Sequence, residues 1–167
     1  MPTWDPVSLG KVRAALEALG SLGGVGTMFG SREEVDPVGH LVGTAGGWGG
    51  NPASAAMYIS VHPALNDGKT PYSLTVKDVP VGGFWSISVY NRDGFFEKND
   101  LDAYSINNLT AERDPDGSVT VRFGGDADGG PNLLPITPGW NYTVRLYRPR
   151  EVVLNGDWRF PEPKPAT

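Results

Sequence analysis

The chain contains no cysteine. That absence removes disulfides, zinc–thiolate sites, iron–sulfur clusters and any cysteine nucleophile. Histidine is nearly as scarce: His40 and His62 are the two in the sequence. They share no H-x-x-x-H spacing, so no metal centre is expected and no cofactor is indicated. No run of Lys and Arg occurs and the formal net charge is −5, so a nucleic-acid backbone is not an expected partner. No apolar stretch approaches the roughly 18–20 residues that cross a bilayer. The opening MPTWDPVSLGKVRAALEALG also lacks the basic start, apolar centre and small-residue cleavage site of a secretory signal. The expectation is a cytoplasmic protein with no membrane partner.

Glycine and proline, by contrast, are abundant, 23 and 15 among 167 residues. They fall between apolar runs rather than in one tract, the distribution of turns in a β-rich fold. The length suits a single domain. Near the N-terminus Asp5 is placed to cap a helix, Pro6 suits its first position, and Leu9, Val12, Leu16 and Leu19 recur on one face until Gly20. A second helix is expected from Ser31 or Asp36–Pro37 through His40 and Leu41 into the loop GTAGGWGGNP (43–52).

From Ala56 the period changes to two. Met57, Ile59 and Val61 alternate with Tyr58, Ser60 and His62; Tyr72, Leu74 and Val76 with Ser73, Thr75 and Lys77. Trp85, Ile87 and Val89 alternate with Phe84, Ser86, Ser88 and Tyr90. The same holds for Val119, Val121 and Phe123 against Ser118, Thr120 and Arg122, and for Tyr142, Val144 and Leu146 against Thr143, Arg145 and Tyr147. These are half-buried antiparallel strands by pattern. Both faces of the Phe84–Tyr90 strand are apolar enough to be core. The Asp-Gly pairs of NDGK (66–69) and DPDGS (114–118) are hairpin signals. The pattern predicts a mainly β fold, an antiparallel β-sandwich or jelly-roll-like domain with a short helical N-terminal cap. Residues 1–50 form the cap and Gly-rich loop, 51–160 the sandwich and 161–167 an extended tail.

The chemistry is harder to read. The glycine loops do not cradle phosphate: no Lys follows them as in a Walker loop, and the 43–52 loop lies after a helix and before a strand, the wrong order for a dinucleotide site. Close packing and tight turning account for its glycines, with Trp48 either a plug or a rim residue. There is no G-x-S-x-G elbow. Asp126, Asp128 and Asn132 make a fragment of a calcium loop without its closing Glu, which reads better as an acidic hairpin tip. Glu97, Asp100 and Asp102 cluster in a loop, where charge ordinarily serves solvation. What remains is polar and aromatic. Trp48, Asn51, Asn108 and Tyr147 belong to this set, and Tyr58, Trp85, Tyr90, Asn91, Tyr104, Asn107 and Arg145 are its candidate lining for a small organic or sugar-like ligand. Two alternatives stand beside this pocket: a structural or assembly module in which the same aromatics face another subunit of a homo-oligomer, and a hydrolase using His40 or His62.

The segments GNPASAAMY, GFWSISVYNRDGFF, AYSINN, DGSVTV, NLLPITPGWNYTVRLYRPR and LNGDWRFP, in that order, resemble the bacterial family known as domain of unknown function 1214. The resemblance runs from about Val35 to Pro161. It implies a jelly-roll-like β-domain with no settled activity, although some relatives carry the label hydrolase or carboxylesterase. Larger relatives tend to have Arg-Tyr-Ser-Ile at Ala103-Tyr104-Ser105-Ile106 and Asn-Trp-Leu-Pro at Asn132-Leu133-Leu134-Pro135. In them the domain follows one of the neighbouring family 1254; this chain resembles the short, free-standing subgroup.

Overall fold

The structure, a computed structural model, describes residues 5–23, 26–47, 49–125 and 130–166. The chain divides into two compact units, Met1–Ala56 and Met57–Thr167. The first is helical. Helix α1 (Pro6–Ser21) starts where the Asp5 carboxylate accepts the Val7 and Ser8 amides, at 3.1 and 3.2 Å. Helix α2 (Pro37–Gly46) repeats the device, with Asp36 accepting from the Gly39 amide at 2.7 Å. Each carboxylate takes donors that the first turn leaves unpaired. The α1 stripe does not become a buried face: Leu9, Val12 and Leu19 are exposed. The two helices meet instead at Gly20, where a Cβ would lie 2.8 Å from the Val42 side chain. The glycines of the 43–52 loop have a similar use. A Cβ at Gly50 would overlap the Phe29 ring, and the ring also lies against Gly43. Trp48 lies outside the described residues.

The second unit is built from strands. β1 (Ala56–Val61), β7 (Asn141–Tyr147), β3 (Trp85–Tyr90) and β4 (Ser105–Asn107) form one four-stranded sheet in that order. β6 (Leu133–Leu134), β5 (Val119–Phe123), β2 (Tyr72–Val76) and β8 (Lys164–Pro165) form the other. A four-residue helix, α3 (Glu151–Leu154), follows β7. β3 and β7 pair antiparallel from Trp85 with Leu146 to Tyr90 with Asn141, and β2 pairs with β5 from Tyr72 with Phe123 to Val76 with Val119. Among the described residues no helix is long and apolar enough to cross a membrane.

The alternating faces separate by burial. Trp85, Ile87 and Val89 join Tyr142, Val144 and Leu146 in one apolar cluster with Tyr72, Leu74, Val76, Val119, Val121 and Phe123 of the other sheet. Phe123, Trp140 and Tyr142 stack at its centre, with ring centroids 5.1–6.1 Å apart. Each large side chain removed from water here contributes roughly 1.5–3 kcal/mol before entropy is counted. The Phe84–Tyr90 strand therefore has one core face, that of Trp85, and an outer face that carries Ser86, Ser88 and Tyr90.

Two expectations change. The Asp-Gly turns do not close hairpins between paired strands: β1 and β2, and likewise β4 and β5, belong to different sheets. Each turn carries the chain from one sheet to the other, because its local chemistry fixes a reversal and not the strand that follows. The second sheet is also mixed rather than antiparallel, since β5 and β6 run parallel, Arg122 beside Leu133 and Phe123 beside Leu134. Asn132 makes this join, with a positive φ of 58°. Its side chain donates to the Thr120 and Glu112 carbonyls and accepts the Glu112 amide. The proline-rich tail adds β8 to the edge of the sheet through Ser73 and Lys164.

Gly68 and Gly117 separate backbone strain from steric collision. Both have positive φ, 74° and 84°. A Cβ at Gly117 meets open space, whereas one at Gly68 would collide with the Thr137–Pro138 backbone. Gly117→Ala is expected to cost about 1–2 kcal/mol, the left-handed penalty alone, and Gly68→Ala at least twice that. Urea denaturation of the two variants checks the ordering.

Candidate functional site

The outer face of the first sheet gathers part of the sequence-predicted set. Arg145 stands opposite Ser86 in the β3–β7 register. Its guanidinium donates to the Ser88 hydroxyl at 3.0 Å and to the Tyr90 hydroxyl at 2.6 Å. Phe96 stacks on Tyr90, with centroids 5.1 Å apart and planes 5° from parallel, and then leans on Tyr104 at 5.4 Å. The loop from β3 to β4 delivers Phe96 because Asn91 organises it. The Asn91 carbonyl oxygen of the side chain accepts the Asp93 and Phe95 amides, and its amide donates to Glu97. Asp102, at a positive φ of 49°, sits against Tyr104 and raises its phenol above the ordinary range by hydrogen bonding. Tyr90, Asn91, Tyr104 and Arg145 are thus close neighbours, but the crevice between Tyr90 and Tyr104 measures about 10 Å³. That is room for one water at most.

The other predicted residues lie elsewhere. Trp85 is 4% exposed and packs edge-on against Phe160 in the core. Asn107 accepts the Leu109 and Thr110 amides and holds the turn after β4. Tyr58 is exposed on β1. Asn108 accepts the Trp85 amide, and Tyr147 stacks on Phe84 at 4.3 Å. His40 faces the Met28 carbonyl at 2.9 Å. Among the described residues, neither histidine forms a hydrogen bond to a serine or an aspartate, and no three potential metal ligands gather. Asp126 and Asp128 lie outside the described residues.

A larger space opens on the inner side of the same sheet. β1 is an edge strand, and its inward residues Met57, Ile59 and Val61 are only partly buried. The chain beyond α3 folds across them and leaves a cavity of about 260 Å³. Tyr142 and Val144 of β7 supply its floor; Val153, Trp158, Phe160 and Pro161 its far wall. The segment LNGDWRFP is fixed for this purpose by local bonds. Asn155 accepts the Asp157 amide and donates to the Asp157 carboxylate, and the Trp158 amide donates to the Val152 carbonyl at 2.7 Å. Trp158 and Phe160 then meet edge to face at 6.0 Å.

Three polar side chains border this apolar space: Tyr142, Arg159 and Glu162. The Tyr142 hydroxyl has no hydrogen-bond partner among the described residues. Burial first, and then the Glu162 charge, push its ionisation far above the ordinary tyrosine value, so it remains a proton donor. Alternation grouped Tyr142 with Val144 and Leu146 on one face and left its hydroxyl unnoticed. The available signal was the aromatic pair of DWRFP following a short helix, with no strand pattern of its own to bury it.

Comparison with known proteins gives a family without a stated activity. The family described as "Protein of unknown function (DUF1214)" matches residues 61–151. The crystal structure of the VPA0106 protein from Vibrio parahaemolyticus aligns with all of the chain at a TM-score of 0.73 and 24% identity, which shows a shared fold. The chain spans 47% of that protein's length. An uncharacterised protein from Burkholderia cenocepacia aligns with 87% of the chain, and over 39% of its own length, at a TM-score of 0.43 and 18% identity. No curated protein matches.

The Tyr142 phenol provides a check on the cavity's chemistry. Its folded value is raised, so its share of stability is whole below about pH 10, the unfolded tyrosine value. That share is lost as pH rises further. Relative to Tyr142→Phe, the wild-type protein is expected to lose stability between about pH 9 and 11. Urea midpoints measured across that range give the slope.

Proposed function

The chain belongs to the DUF1214 family, and on that premise we propose that it is a small-molecule-binding β-domain. In this reading its two sheets are the layers of a jelly-roll-like sandwich, and its ligand enters at the β1 edge. One observation carries the proposal: an apolar cavity of about 260 Å³ is bordered by Tyr142, whose hydroxyl has no partner among the described residues. Ligand sites are commonly apolar clefts with a few placed polar groups, and this arrangement has that composition. The ligand it suits is compact and apolar, with one acceptor such as a carbonyl oxygen for Tyr142.

The size of the effect follows from area. A ligand burying about 150 Å² of apolar surface gains roughly 4 kcal/mol gross at about 25 cal/mol per Å². The hydrogen bond adds about 1 kcal/mol, against the cost of immobilising the ligand. Millimolar or weaker affinity for a simple probe is the consistent range. Among the described residues the walls supply no histidine, serine or aspartate, which favours binding over hydrolysis.

Acetophenone and toluene, matched rings with and without an acceptor, test the site by ligand-observed NMR. Acetophenone is expected to bind saturably to the wild-type protein, and Tyr142→Phe to weaken it about five-fold while leaving toluene unchanged. Ile59→Trp, which fills the cavity from a partly exposed position, is expected to abolish both. Equal binding by the Ile59→Trp variant, with its circular dichroism unchanged, would contradict the proposal.

A further inference from the structure

We infer that Arg145, on the opposite face of the sheet from the cavity, is the centre of a second binding site, one that takes an aromatic carboxylate. Arg145 is a partly buried cation whose bonds go to neutral hydroxyls, Ser88 and Tyr90. The one ion pair among the described residues is Arg13 with Glu17, so no carboxylate offsets the Arg145 charge. A guanidinium carries its charge at any ordinary pH and presents a planar fork of N–H groups. Two of those groups are engaged here. The rest have no partner among the described residues.

The hydroxyls extend the argument. Each accepts from Arg145, so each keeps its own proton to donate, and neither makes a further bond among the described residues. Around one cation there are therefore N–H and O–H donors that no acceptor engages among the described residues. Two acids of the adjoining loop take other donors: Glu97 accepts from Asn91 and Asp102 sits against Tyr104. Such a donor set is complementary to an anion, and its fork to the two oxygens of a carboxylate.

The aromatic half of the ligand is read from Phe96. Its ring lies parallel to Tyr90, whose hydroxyl touches Arg145, and it is 53% exposed. An exposed flat ring beside an anion receptor offers stacking to a planar body. The face is shallow, so the site reads the carboxylate and one ring rather than enclosing a whole molecule.

Benzoate at constant ionic strength is the probe, with the Arg145 Nε–H resonance and the Tyr90 ring signals as reporters. Saturable shifts are expected, at least ten-fold weaker for benzamide, which keeps the ring and loses the charge. Arg145→Met is expected to weaken benzoate at least ten-fold and Tyr90→Phe several-fold. Arg145→Lys, which keeps the charge and loses the fork, should fall between wild type and Arg145→Met. Ile59→Trp should leave benzoate unaffected, since it alters only the cavity. Binding unchanged in a folded Arg145→Met variant would overturn the inference. So would chloride or acetate competing as well as benzoate, which would make the cluster an unselective cation.

Discussion

The antiparallel pairing of β3 with β7 sets both faces of the first sheet. It is a six-residue register in which every second side chain crosses to the other face. Inward it contributes Trp85, Ile87, Val89, Tyr142, Val144 and Leu146 to the core. Outward it sets Ser86, Ser88 and Tyr90 beside Thr143 and Arg145. A slip of one residue would bury a guanidinium and expose the centre of the aromatic cluster. The same pairing therefore specifies the core and keeps Arg145 within reach of two hydroxyls on the neighbouring strand.

The register leaves unequal conditions at the sheet's two ends. At the β4 edge the loop organised by Asn91 returns Phe96 and Tyr104 over Tyr90, so the surface there is filled and flat. At the β1 edge the LNGDWRFP segment, rather than a strand among the described residues, lies over Met57, Ile59 and Val61 and leaves space between them. Tyr142 joins the two regions: its ring packs on Phe123 in the core while it also lines the cavity. A neighbour in the same core shows the cost of an indole there. Trp140 buries its Nε1 with no partner among the described residues, a loss of roughly 1–3 kcal/mol that its stacking must exceed.

Much of this was legible from the residues, and the parts that were not share a cause. Alternation identified β2, β3, β5 and β7 because each keeps one face in the core, and β1 because one face packs against it; Asp5–Pro6 and Asp36–Pro37 marked their helices through capping chemistry. The short strands β4, β6 and β8 carry too few residues to show a period. β6 is held by Asn132 and a parallel pairing rather than by a pattern. Sheet membership was illegible because an Asp-Gly turn specifies a reversal and not a partner. Among the candidate site residues, polarity located the outer-face group, but Trp85 was drawn inward by its phase on β3, and Asn107 was claimed by its own turn. The cavity escaped notice because it is defined by what fails to cover β1, and a missing strand leaves no motif.

The proposed binding space is the apolar cavity on the inner face at the β1 edge. Crystals of the protein held under xenon pressure test it most directly, since xenon enters apolar cavities without needing a hydrogen bond. The result predicted is a xenon site among Met57, Ile59, Val144 and Trp158, lost in Ile59→Trp. Crystals of the wild-type protein with no xenon between those side chains would contradict it.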